Sequence, residues 1–178
     1  SAAIAYEGIQ YTHMAPEVMD ERELAWLDGH LRILSGLYGV LRPLDGVVPY
    51  RLEMKARLSV GGARDLYAFW GDSLYESLAA EGCDLIVNVA SVEYARAVTP
   101  FARPGGPQVL TCLFGVLRDG RLRQPATEAK AARGTFIRWC AERGVMSPAE
   151  LRGFAERGYS LDEARSDEAT LVFVRGER

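Results

Sequence analysis

The stretch LRILSGLYGVLRPLD, Leu31–Asp45, decides how the first half of the chain is read. Just upstream, Asp20 with Glu23 three residues later forms a capping box, and Leu24, Leu27, Leu31 and Leu34 follow at helical spacing, so a helix is predicted over 21–34. The run breaks at Ser35-Gly36-Leu37-Tyr38-Gly39 and restarts with Arg42-Pro43. Two readings fit. Gly36 ends a helix and Gly39 admits a neighbouring backbone, or the glycines free N–H groups to face a phosphate between two helices. A phosphate hairpin has its glycines two apart, and here they are three apart, so local grounds favour the helix end.

Working outward, PYRLEMKARL alternates Tyr50, Leu52 and Met54 and reads as a strand. Asp65 opens a helical pattern with Leu66, Phe69, Leu74 and Leu78 apolar, closed by Gly82. Asp84-Leu-Ile-Val-Asn-Val-Ala is a short apolar run of the kind found in buried parallel strands, and Ser91-Val92-Glu93 starts a short helix. Gln108–Leu117, the Asp119-Gly120 turn and Arg121–Arg123 form a hairpin. A helix follows over 127–143, stopped by Gly144, and Ser147-Pro148-Ala149-Glu150 caps another. Residues 159–163 and 170–175 close as an antiparallel pair. The sum is a mixed α/β or α+β single domain over residues 1–178.

The chain has 178 residues, 48% of them hydrophobic and 25% charged, which is ample for one globular core. No apolar run is long enough for a membrane span and no basic-then-apolar leader opens it, so a cytoplasmic protein is expected. Cys83, Cys112 and Cys140 are too far apart for a disulfide framework or a zinc site, and His13 and His30 form no ligand pair. Neither metal nor cofactor is expected. The net charge of −3 hides an uneven distribution. Residues 1–30 are acidic, whereas 31–64 and 115–143 each carry a local basic excess, from which two patches could line one cleft.

Three constellations bear chemistry. In the first, Arg51, Glu53 and Lys55 cluster; Glu53 is either a counter-ion or a base tuned by its neighbours. In the second, Asn88, Ser91, Glu93 and Tyr94 lie where a buried strand meets a helix, the usual ligand-binding edge of a parallel sheet. No G-x-S-x-G elbow or glycine-rich phosphate loop accompanies them. In the third, Lys130, Arg133 and Arg138 occupy adjacent rows of one helix, a face that can track phosphates.

Taken together, LSGLYGVLRPLD (34–45), PYRLEM (49–54), LYAFWGD (66–72), NVASVEY (88–94), KAARG (130–134) and a closing GF…GY…LVFVR (153–175) resemble the YaaA peroxide-stress protein family. The resemblance covers essentially the whole chain and about the C-terminal two thirds of a typical member, so an N-terminal segment of the YaaA-type fold is expected to be missing. It implies a role in limiting hydrogen peroxide damage, with lowered unincorporated iron, and DNA binding by a helix-hairpin-helix element and a positive cleft. Carried over, that element falls on residues 24–45 with Ser35, Gly36, Tyr38 and Gly39 in the hairpin. Arg42, Arg51, Lys55, Lys130 and Arg133 become the phosphate-binding cleft residues, and the family's lysine after Glu-Tyr is Arg96 here.

The leading expectation is therefore a stress protein that binds DNA non-specifically through phosphates. The rival is an enzyme for a small anionic metabolite or nucleotide, acting near Arg51, Glu53, Asn88 and Lys130. A third reading makes the motif residues packing determinants. One deep pocket uniting the charged residues favours the rival, and an open groove beside a protruding hairpin favours DNA.

Overall fold

The computed structural model describes residues 1–176. In chain order the elements are α1 (Ala2–Ala5), α2 (Ile9–Met14), α3 (Glu21–His30), β1 (Ile33–Ser35), β2 (Gly39–Leu41), α4 (Leu66–Trp70), α5 (Ser73–Ala79), β3 (Leu85–Asn88), α6 (Val92–Ala95), β4 (Gln108–Arg118), β5 (Arg121–Arg123), α7 (Ala126–Arg143), α8 (Pro148–Leu151), β6 (Tyr159–Leu161) and β7 (Thr170–Arg175). Strands β3, β4 and β7 run parallel, β6 flanks β7 antiparallel, and β5 folds back on the end of β4. The mixed α/β domain read from the sequence is the fold observed.

The capping box forms as expected, with the Asp20 carboxylate accepting from the Glu23 N–H and the Glu23 carboxylate from the Asp20 N–H. The helix it starts stops at His30, four residues short of the leucine pattern. Arg32 explains the stop: its guanidinium donates to the terminal carbonyls of Asp28 and Leu31 while its other edge holds the Glu81 carboxylate. That grip turns the chain outward, and Leu31 is already extended. Residues 33–41 then form a β-hairpin with Ile33 opposite Leu41, Leu34 opposite Val40 and Ser35 opposite Gly39. The helix-hairpin-helix expectation is thus corrected, since a strand stands on each side of the loop and the Arg42–Asp45 turn follows where a second helix would begin.

Two further expectations change. The segment 50–59 has no strand ladder, although Met54 is buried as the alternation implied. The helical pattern after Asp65 is broken into α4 and α5 at Gly71, whose φ of 51° the helix cannot accommodate, and Phe69 ends up 46% exposed.

Strand β3 joins the molecule's cores. Ile86 packs with Met54, Leu66 and Tyr75 in the cluster under the hairpin, while Leu85 and Val87 face the aromatic cluster around Phe114, Phe136, Phe154 and Phe173. Successive strand residues point to opposite faces, so one four-residue strand serves both. On the far side of the aromatic cluster lies α7, which packs against the sheet and also against α2. The α2–α7 approach depends on Gly134: a Cβ there would lie 2.0 Å from the Gln10 carbonyl oxygen.

Candidate functional site

The hairpin glycines face inward. Gly36 is buried with the Leu52 carbonyl only 3.0 Å from where its Cβ would stand, and Gly39, at φ 79°, meets the Trp70 ring at the same distance. Trp70 Nε1 donates to the Gly36 carbonyl at 3.1 Å. The loop N–H groups of Leu37 and Tyr38 donate to Ser35 Oγ at 3.2 and 3.0 Å. None of these groups is presented to a phosphate. They build a turn welded to Trp70.

Ser35, 1% exposed, has a further task. Its two lone pairs are taken by the loop N–H groups, so its proton goes to the Tyr50 hydroxyl, and Tyr50 in turn donates to Tyr6 Oη at 2.6 Å. The Tyr6 proton is left for the cleft that Tyr6 and Tyr50 both line.

This cleft encloses about 1350 Å³ and runs beneath β3 toward α7. Its banks unite Glu53, Asn88, Ser91, Glu93, Tyr94, Lys130 and Arg133. Asn88 ends β3, donating to Thr111 Oγ1 at 3.2 Å and accepting the Ala90 N–H at 3.1 Å, a bend that carries the chain into α6 at the carboxyl edge of the parallel strands. Ser91 precedes α6 without capping it, so its hydroxyl is uncommitted among the described residues. Glu93 accepts the Lys55 N–H, and Lys55 Nζ sits 3.5 Å from Glu93 and 3.7 Å from Glu53. Lys55 therefore screens two carboxylates and is not a free phosphate ligand. The pair geometry is exposed, and it orders these side chains more than it stabilises the fold.

On the opposite bank Lys130 and Arg133 lie one turn apart on α7. Among the described residues neither has a carboxylate within ion-pair distance, and Arg133 is half-buried. Burial alone lowers the pKa of its guanidinium. Burial also raises the phenols around the cleft: Tyr94 to about 12, with Tyr6 and Tyr11 higher still. Each stays a neutral donor at physiological pH. His30, the histidine that lines the cleft, stacks on Trp26 and hydrogen-bonds the Trp26 carbonyl, so no Ser–His pair is assembled there. Among the described residues no three His, Cys, Asp or Glu side chains gather as metal ligands do, and no helix is long and apolar enough to cross a membrane.

Of the residues singled out in the sequence, the cleft gathers the strand-edge set and the α7 pair. Arg42 and Arg51 stand on the surface outside it, and Ser35, Gly36, Tyr38 and Gly39 support it from behind. Sequence reasoning missed Tyr6, Gln10 and Tyr11. Tyr6 is the extended residue that ends the four-residue α1, and Gln10 and Tyr11 sit on the six-residue α2; both helices are too short to show a clear period, and nothing in the spacing of these residues marks a shared face.

The sequence model described as peroxide stress protein YaaA matches residues 1–165. A UPF0246 protein of Lactiplantibacillus plantarum is 45% identical over 97% of this chain, and one of Pediococcus pentosaceus is 45% identical over 99%; in both cases the match spans 69% of the relative. A UPF0246 protein of Lachnoclostridium phytofermentans is 42% identical over 99% of the chain and 68% of its own length.

Proposed function

The chain belongs to the peroxide stress protein YaaA family, and on that premise we propose that it acts by binding a small anionic ligand in the cleft between α7 and the β3–α6 corner. The observation that carries this is Arg133, a half-buried guanidinium in a cleft wall with no acidic partner among the described residues. A desolvated cation without a counter-ion is costly, and an anion in the cleft supplies the missing charge with bidentate geometry. Lys130, one turn away, adds a second donor. The carboxylates of Glu53 and Glu93 are the groups placed to take up or return a proton on the ligand, and the Ser91 hydroxyl, uncommitted among the described residues, is a hydrogen-bond donor to it.

The test is calorimetric titration of the full chain with inorganic phosphate and small phosphate esters. Binding that falls tenfold or more in Arg133→Ala supports the site; identical titrations for the two proteins overturn it.

One observation favours a second reading, DNA binding on another surface. Arg42, Arg51 and Arg57 are exposed and have no acidic partner among the described residues. Three phosphate contacts would cost about 40-fold in duplex affinity between 50 and 200 mM salt, at a slope of roughly 0.9 per phosphate. A salt titration with the Arg42→Ala, Arg51→Ala double variant checks it: a flattened slope supports this reading, and an unchanged one removes it.

A further inference from the structure

We infer that the anion held by this cleft is a nucleoside monophosphate, or a molecule built like one, in which a single phosphate is joined to an amino-substituted heteroaromatic ring. The inference rests on the anion-binding reading above and adds the rest of the ligand.

The cleft offers three kinds of surface. Lys130 and Arg133 supply positive charge from α7. Tyr6 and Tyr11 stack on each other with centroids 5.5 Å apart and planes 25° apart, and both half-buried phenols line the cleft. Gly134 brings α2 onto α7, so Tyr11 and Arg133 flank the same close contact. Glu53 and Glu93 provide acceptors on the other bank, beside the β3–α6 corner.

Each surface excludes something. A simple phosphate or sugar phosphate satisfies the cations and makes no use of the aromatic wall that Tyr6 and Tyr11 form. A dicarboxylate meets Glu53 and Glu93 with like charge. A triphosphate brings about four negative charges to a cleft where Lys130 and Arg133 are the cations without an acidic partner among the described residues and Glu53 and Glu93 also line the wall, so it is disfavoured by repulsion. A monophosphate with a flat ring uses all three: phosphate on Arg133 and Lys130, ring against phenol, amino and hydroxyl protons on the carboxylates. The Tyr6 proton freed by the Ser35–Tyr50 relay is one more donor for the phosphate or sugar oxygens.

Titration of the full chain with AMP, adenosine, ribose 5-phosphate and ATP tests this. AMP is expected to bind about tenfold or more tightly than either adenosine or ribose 5-phosphate, and more tightly than ATP. Arg133→Ala is expected to bring AMP down to the affinity of adenosine without changing adenosine itself. Because Lys130 is exposed, Lys130→Ala keeps the fold and should cost AMP several-fold while sparing adenosine. If ribose 5-phosphate binds as tightly as AMP and both depend on Arg133, the ring is wrong and the anion reading stands. ATP binding more tightly than AMP overturns the single-phosphate limit. If no phosphate compound binds in an Arg133-dependent way, both readings fall.

Discussion

Ser35 shows how one small side chain can do the work that its neighbouring glycines suggest for themselves. Its hydroxyl receives two loop N–H groups and passes its own proton toward Tyr50. Replacing it with alanine takes away the acceptor of two partly buried loop N–H groups and the partner of the Tyr50 hydroxyl, at about 1–3 kcal/mol. Ser35→Ala is therefore expected to lower the thermal midpoint by several degrees and to leave the salt dependence of any duplex binding untouched; a variant of normal stability would remove this role. The cysteines divide in the same residue-by-residue way. Cys112 and Cys140 are buried, which pushes the Cys112 thiol up to about 12 and the Cys140 thiol higher, whereas Cys83 is exposed. The thiolate, not the thiol, attacks a peroxide oxygen, breaking the O–O bond to give a sulfenic acid and hydroxide. Mass spectrometry after brief peroxide treatment should find oxidation at Cys83 and none at Cys112 or Cys140, and early modification of Cys140 would contradict the burial seen here.

At the scale of elements, what was legible in the sequence was what short-range chemistry encodes. The Asp20–Glu23 box, the Asp119-Gly120 turn with both residues at positive φ, and the Gly144 stop of α7 are local devices, and each is found where its residues place it. The hairpin was misread because its cause is distant: Arg32 ends α3 by reaching Glu81, and Trp70 seals the loop from 34 residues away. Half of the candidate site was readable for the same reason. Asn88–Tyr94 follows from strand-to-helix chemistry, and Lys130 with Arg133 from helical spacing, but Tyr6 and Tyr11 join them only through the α2–α7 contact. That contact makes its own prediction. At Gly134 an added methyl has no room against the Gln10 backbone, and overpacking of this kind costs about 1–3 kcal/mol. Gly134→Ala is expected to destabilise the fold and to weaken AMP binding together, because the helix that carries Tyr11 must shift away from Arg133. A stable variant with weakened binding would place Gly134 at the ligand, and unchanged stability and binding would show that the helices do not meet as closely.

At the scale of the whole molecule, the cleft and the cores share a sensitivity to alkali. Tyr6, Tyr11 and Tyr94 ring the cleft, Cys112 and Cys140 lie in the aromatic core, and burial raises the proton affinity of all five. For Tyr94 the ordinary value of 10.0 rises to about 12, and for Cys112 the ordinary 9.0 rises to about 12. Below the ordinary values both folded and unfolded chains hold these protons, and the stability from burying the neutral groups is fully present. As pH rises past about 9 for the thiols and 10 for the phenols, the unfolded chain releases protons first, so stability falls until the folded groups titrate as well. Each full proton of difference steepens the loss by about 1.4 kcal/mol per pH unit. Denaturant midpoints measured from pH 8 to pH 11 should therefore hold level and then drop with increasing slope. Tyr94→Phe, which removes one of these protons while keeping the ring, is expected to flatten the decline above pH 10. If the buried phenols instead ionise freely at their ordinary value with the fold intact, the cleft is more open to water than its geometry implies, and the uncompensated burial of Arg133 that argues for an anion there loses its force.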